Sequence, residues 1–168
     1  MNLRFPSYLE PMANNDKKLK QVRSMADIQF GKGCGDVLFP DSVSFQLSKT
    51  KRIRQVFYNG RHMATVRAKD GVLTLSIDGA VALHGMLKKP DSRVVICEDA
   101  VPFVSMGKTA FAKHVTDVDP KLRAGDEVII VDPSDSILAT GQLLLSPHEA
   151  ICMDRGPAVD VRRGIKQS

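Results

Sequence analysis

Between residues 43 and 77, apolar and polar positions alternate in four short runs: Val43 to Leu47, Arg52 to Tyr58, Met63 to Arg67 and Val72 to Ile77. A period of two, with β-branched and aromatic residues at the apolar positions, predicts four strands. Asn59-Gly60 marks a hairpin between the second and third, because both central residues of a type I′ turn take positive φ. Asp70-Gly71 can repeat that device. Upstream the period becomes helical: Leu19, Val22, Met25, Ala26 and Phe30 form one face, beside Lys17, Lys18, Lys20 and Arg23, with Asn14 or Asn15 capping a helix that begins near Asp16. The basic side of such a helix is ordinarily a solvated surface face. Gly31-Lys32-Gly33-Cys34-Gly35 ends the helix and turns the chain. A phosphate-cradling P-loop needs a strand before it and a helix opening with Lys-Ser/Thr after it, whereas Phe39-Pro40-Asp41 follows here. Asp78 is placed to cap a second helix carrying Val81, Ala82, Met86 and Leu87, which completes an α-ββββ-α module.

The second half has a different pattern. Val94-Val95-Ile96 is a short buried strand, and Glu98 to Met106 a helical turn with Pro102 near its start and Gly107 as its left-handed stop. Thr109 to Asp117 alternates as a strand. Pro120 to Gly125 turns into Glu127 to Val131, Pro133-Ser134-Asp135 turns into Ile137 to Leu145, Ser146-Pro147 opens a short helix, and Ala158 to Val161 closes the sheet. Short strands separated by turn signals indicate a small mixed barrel. The halves join at Lys88-Lys89-Pro90-Asp91-Ser92, where Lys-Lys in a last helical turn and a following Pro stop the helix. The expectation is an α+β chain of two domains, residues 1–90 and 91–168.

Composition sets bounds on that reading. With 168 residues, 43% hydrophobic and 26% charged, the chain is too apolar to be disordered throughout and long enough for two modest cores. It has no run of membrane-spanning length, and Met1 to Lys20 lacks the apolar centre of a secretory signal, so a soluble cytoplasmic protein is expected. Cys34, Cys97 and Cys152 are odd in number and far apart. They fit reduced thiols better than a disulfide frame or a zinc knuckle, and no metal or other cofactor is expected. Charge is uneven: residues 1–90 hold 15 Lys+Arg against 7 Asp+Glu, and residues 91–168 hold 9 against 12. A basic first half suits a polyanionic partner. Aromatics are only 5%, with no Trp, so stacking on unpaired bases is a poor candidate for the main source of affinity.

Candidate catalytic groups are His62, His84, His114 and His148 with the three thiols, but their order forms no nucleophile elbow, no His-Glu-x-x-His helix and no recognisable Cys/His pair. His84 is expected to be satisfied at a helix edge, His148 to be exposed in a first helical turn, and Cys97 and Cys152 to be buried among apolar neighbours. Lys108 has two readings. As a cation after a helical turn it is favoured by the helix dipole whatever its function. Beside Gly107, where a backbone can approach closely, it can meet a phosphate. Lys113, Arg155, Arg162, Arg163 and Lys166 are the other cations that could gather on one barrel face.

Three segments in order resemble a PUA domain, the small RNA-binding barrel: Phe103-Val104-Ser105-Met106-Gly107-Lys108-Thr109-Ala110-Phe111-Ala112-Lys113-His114-Val115, then Gly125-Asp126-Glu127-Val128-Ile129-Ile130-Val131, then Arg155-Gly156-Pro157-Ala158-Val159-Asp160-Val161-Arg162-Arg163-Gly164. Upstream, Ala26 to Gly33, Leu38 to Asp41, Lys51 to Arg54 and Ala68 to Ala80 are similar to the C2 domain that precedes the PUA domain in archaeal tRNA-guanine transglycosylases and archaeosine synthases. The resemblance implies an RNA-binding site at Gly107, Lys108, Thr109, Lys113, Arg155, Arg162 and Arg163. It also implies a role in exchanging a tRNA guanine for a preformed deazaguanine. The family's catalytic barrel and Cys/His zinc site have no counterpart here, and 168 residues leave no room for that barrel beside these two domains. The expectation is therefore a non-catalytic subunit of a split enzyme, holding the acceptor stem and 3′ end of tRNA for a separate catalytic transglycosylase subunit. Partnership with an archaeosine synthase, or free-standing binding to rRNA, are the neighbouring readings. A module that meets an acidic protein without RNA is the reading from another class.

Overall fold

A computed structural model describes residues 12–167; the start of the segment inspected for a secretory signal lies outside them. The chain forms two compact units, residues 1–73 and 74–168. The first contains α1 (Met12–Phe30), α2 (Cys34–Leu38), β1 (Ser44–Leu47), β2 (Ile53–Tyr58) and β3 (Arg61–Val66), and the division falls inside β4 (Leu73–Leu75). These strands form a sheet in the order β1-β2-β3-β4. Asn59 and Gly60 have φ of 50° and 75°, and Tyr58 pairs with Arg61, which is the two-residue hairpin the sequence predicts. At Asp70-Gly71 only Gly71 is left-handed. There the connection is longer, with Arg67 N donating to Val72 O across residues 68–71, and the Asp70 carboxylate accepts from Val72 N at 3.1 Å.

Helix α1 is already helical at Met12, so Asn14 and Asn15 lie inside it and not at the N-cap position expected of them; Met12 and Ala13, good helix formers, carry it upstream of Asp16. Its basic face is not uniformly solvated. Lys18 is buried, and Arg23 donates to the Phe39 carbonyl and the Asp41 carboxylate, both at 2.9 Å. The glycine cluster ends α1 as expected, but Cys34 opens α2 at once, and a Cβ on Gly35 would come within 2.4 Å of the Arg23 carbonyl oxygen. Only glycine lets the two helices approach so closely. The Gln29 amide donates to Leu73 O at 2.8 Å and accepts from Leu73 N at 2.9 Å, acting as a strand partner for the start of β4.

The second unit adds α3 (Ile77–Met86), β5 (Arg93–Ile96), α4 (Val101–Val104), β6 (Ala110–Phe111), β7 (Val115–Val118), β8 (Glu127–Val131), β9 (Ile137–Leu143), α5 (Pro147–Cys152) and β10 (Pro157–Gly164). Ser76 caps α3, accepting from Gly79 N at 3.0 Å, so Asp78, two residues on, lies inside the first turn and is not the cap. The helix stops at Met86, before Lys88-Lys89. Ser146 and Glu149 form a reciprocal capping box on α5, and the Ser146 hydrogen bonds hold the Glu149 carboxyl below the usual carboxylate range.

Six strands in the order β6-β10-β9-β8-β5-β7 make a nearly closed barrel-like sheet, with β5 and β8 parallel and the other pairs antiparallel. The run from Thr109 to Asp117 is not one strand. A 3-10 turn at Ala112–His114 splits it, putting Ala112 and Val115 inside three residues apart where strict alternation would face them oppositely. That turn lets a single stretch pair with β10 at one edge and β5 at the other. The core is Val94, Ile96, Val104, Val128, Ile130, Leu143, Ala158, Val159 and their neighbours.

Candidate nucleic-acid interface

The geometry around Lys108 begins with Gly107, whose φ of 91° ends α4; Gly107 N donates to Val104 O at 2.9 Å and Lys108 N to Phe103 O at 3.1 Å. The last strand's end is stacked on this loop. Lys166 N donates to Ser105 O at 2.9 Å, and a Cβ on Gly164 would lie 2.3 Å from Ser105 O and 2.5 Å from Gly107 N. Two sequence-distant segments are thus fastened backbone to backbone, which brings Gly107, Lys108 and Thr109 beside Arg163 and Lys166. Gly164→Ala should push them apart and cost about 1–3 kcal/mol by overpacking, read as a lower melting temperature; a melt matching wild type would contradict the close approach.

The Lys108, Arg163 and Lys166 side chains are exposed and have no hydrogen-bond or ion-pair partner among the described residues. Around them stand Phe103 and Met106, 64% and 51% exposed, and Ile165. Sequence reasoning placed Phe103 and Met106 in a helical turn without assigning them to core or surface, since one short turn has too few residues to define an apolar face. The few aromatics therefore include one with its side chain largely exposed beside the loop.

Lys113 and Arg155 lie elsewhere. Phe111 pairs with Pro157 and Ala112 N donates to Gly156 O, so these two exposed cations sit at the opposite end of β10, whose eight residues span roughly 23 Å at about 3.3 Å per step. Arg162 belongs to neither group. Its Nη1 donates to both carboxylate oxygens of Glu127 at 2.9 and 2.8 Å, and the Glu127 side chain is 1% exposed. Glu127 also accepts from Leu75 N at 2.6 Å, while the Thr140 hydroxyl donates to Leu75 O at 3.1 Å. Arg162 therefore neutralises a buried carboxylate that clasps the end of β4.

A second buried cation works in the same unit. Arg93, 3% exposed, donates to Asp135 at 2.7 and 3.3 Å and to the carbonyls of Asp91, Leu87 and His84. The His84 ring meets the Asp135 carboxylate at 3.2 Å, the satisfied helix-edge histidine that was expected. Burial pushes the Asp135 carboxyl up, but the hydrogen bond and charge of Arg93, with His84 and Lys89, outweigh it and leave the carboxyl below its ordinary value.

The thiols depart from expectation. Cys34 is buried, but Cys97 is only half-buried and lies 3.5 Å from His114 Nδ1. Cys152 is exposed and 3.8 Å from the His148 ring, as also-exposed His148 precedes it by one helical turn. These Cys/His proximities come from a shared helix face and from the β5/β7 pairing, which residue order does not display. Among the described residues no group of three or more His, Cys, Asp or Glu could hold a metal ion, and no helix is long and apolar enough to cross a membrane.

The barrel, its glycine loop and its closing strand place the second unit among PUA domains, and residues 92–165 match that family. Residues 20–90 match the patch-forming domain C2 of tRNA-guanine transglycosylase, so the chain carries a C2 domain followed by a PUA domain. It is 47% identical over 146 residues to the tRNA-guanine(15) transglycosylase of Pyrococcus furiosus, covering 87% of this chain and 25% of that protein. It is 40% identical to the Methanothermobacter thermautotrophicus protein of the same name, covering 94% of this chain and 24% of that one. The chain thus spans about a quarter of the length of these relatives. Among solved structures, a hypothetical protein of Pyrococcus horikoshii shares the fold with a TM-score of 0.72 at 22% identity, over 90% of this chain and 92% of that one. A PUA domain protein of Thermoplasma acidophilum does so with a TM-score of 0.61 at 17% identity, over 92% of both chains.

Proposed function

We propose that this chain is an RNA-binding piece of a tRNA-modifying system: it does no chemistry itself and holds tRNA for a transglycosylase active site on another polypeptide. The observation that carries the reading is the glycine loop. There the left-handed Gly107, covered by the Gln167 side chain, turns the chain so that the exposed cations Lys108, Arg163 and Lys166 stand beside an exposed Phe103. Cations supply phosphate contacts and an aromatic face suits an unpaired base, so the loop fits a stem end with a single-stranded overhang, such as the acceptor stem and 3′ end of tRNA. The similarity to a quarter of the transglycosylases supplies the context, and the catalytic partner belongs to the proposal. Anchoring tRNA there turns a weak encounter at a distant active site into a bound, oriented substrate.

Lys108→Ala should leave the fold intact, as surface substitutions stay within about 0.5 kcal/mol, while a lost charge-assisted contact weakens tRNA binding roughly tenfold to a hundredfold. Titration with intact tRNA and with an RNA lacking the acceptor arm reads this directly. The loss should deepen with Arg163→Ala on the intact RNA and shrink on the truncated one. With about four to six phosphate contacts, the log affinity should fall against log salt with a slope of roughly −3 to −5. Affinity indifferent to salt, or Lys108→Ala binding like wild type, would overturn the reading. Purifying the tagged protein from its source cells and identifying the RNA and protein that accompany it tests the partner.

A further inference from the structure

The Gln167 side chain lies between the two glycines of the loop region. Gly164 N donates to Gln167 Oε1 at 3.1 Å, and Gln167 N donates to Gly164 O at the same distance. The amide then crosses the open face of Gly107, where an added Cβ would stand 2.6 Å from Oε1, 2.9 Å from Cδ and 3.1 Å from Nε2. A side chain at position 107 would collide with it. Gly107 therefore serves twice, for its φ of 91° and for the room it leaves to this amide. Gly164, pressed against Ser105 O and Gly107 N, fixes to the same backbone the N–H that holds Oε1.

An amide held in this way has a set orientation. Only its oxygen can accept from Gly164 N, which leaves Nε2 and its two hydrogens without a partner among the described residues. Gln167 is exposed, so those hydrogens face outward. A glutamine free on a surface turns to offer a donor or an acceptor as its partner requires, whereas this one offers donors. Beside it stand the exposed cations Lys108, Arg163 and Lys166. Such cations hold a phosphate but carry no information about the base attached to it. A neutral, oriented donor among them does a different task, because its partner is an acceptor atom of defined position.

We infer that Gln167 is a specificity-determining residue of the glycine loop: with the RNA backbone held by the cations, its Nε2 donates to the edge of an unpaired base. The inference rests on the reading that the loop binds RNA and extends it from grip to selection. A donor with its own acceptor already engaged suits cytosine or adenine, whose central Watson–Crick atom is a bare ring nitrogen. It disfavours uracil and guanine, whose corresponding nitrogen carries a hydrogen. The sequence concealed this residue because Gln167 lies three positions past the last segment that carries the family resemblance.

The test titrates the full chain with RNA hairpins that share one stem and differ only in a short 3′ overhang of cytosine, adenine or uracil. The proteins are wild type, Gln167→Ala, Gln167→Glu and Lys108→Ala. Wild type should bind the cytosine and adenine overhangs roughly threefold to tenfold more tightly than the uracil one, the worth of a single hydrogen bond. Gln167→Ala should erase that preference by weakening the first two alone. Gln167→Glu keeps an oxygen for Gly164 N and puts an acceptor where the donors stood, so it should reverse the preference on top of a general loss from its added charge. Lys108→Ala should weaken all three alike and leave the preference intact. The inference is wrong if wild type binds the three overhangs equally, if Gln167→Ala weakens all of them alike, as a mere tie of the backbone would, or if it tightens all of them, as removal of a cover would. In each of these cases a loss in Lys108→Ala keeps the glycine-loop reading standing. If wild type binds no hairpin, both fail.

Discussion

Arg162→Ala should lower the melting temperature by roughly 9 °C and leave RNA affinity, measured well below the melt, nearly unchanged. The Glu127 side chain is 1% exposed and receives the Arg162 guanidinium at both oxygens. Removing one partner of such a pair leaves a charge in the interior, which costs about 3–5 kcal/mol; the low end applies because Arg162 itself reaches solvent. In a chain of this size 1 kcal/mol is worth about 2–4 °C. Glu127→Gln in the Arg162→Ala background should recover part of the loss, since the uncharged amide still accepts from Leu75 N. Were the single variant to melt like wild type and bind RNA poorly, Arg162 would be a phosphate contact, as the family resemblance implies.

The Asp135 carboxylate should show the second large effect, with a dependence on pH that identifies its cause. Asp135→Asn is the clean change, because Asp135 has φ 66° and asparagine tolerates that left-handed backbone. It removes the charge that Arg93 and His84 face, and the loss of charged hydrogen bonds amounts to about 2 kcal/mol. The folded carboxyl lies below its unfolded value of about 3.9. Its contribution is therefore fully present above that value and is lost as pH falls through the depressed folded pKa. Melts of the two proteins from pH 7 to pH 3 should differ by about 6 °C at neutral pH and converge toward acid. A difference that stays constant with pH would mean that packing, not the ion pair, carries it.

What the sequence revealed follows from where the information is local. Alternation, the Asn59-Gly60 turn, the left-handed Gly107 and the Ser146 opening of α5 are short-range devices, and each falls where pattern and turn chemistry put it. The Thr109 to Asp117 strand failed because alternation cannot distinguish one strand from two joined by a turn that keeps Ala112 and Val115 both inside. Candidate site residues fared according to their partners. Lys108 and Arg163 flank the close approach of Gly164 to Gly107, which a glycine in a terminal strand could have announced. Arg162, their neighbour in sequence, points to a carboxylate 35 positions away, and no local pattern separates a cation bound to a buried acid from one left to solvent.

Family likeness ends the first domain at residue 90, whereas packing ends the first unit at Leu73, inside β4. Helix α3 thus descends with one domain and is built into the other: Arg93 and Asp135 grip its C-terminal end, and Glu127 and Thr140 clasp Leu75 just ahead of it. A gene rearrangement cutting at Pro90 would strip the barrel of a helix and take the His84 and Leu87 carbonyls from Arg93 and the Leu75 amide from Glu127, while leaving the upstream piece with an apolar tail. A break between polypeptides that respects the packing would fall near Leu73, and a search for counterparts of the barrel should carry α3 with it.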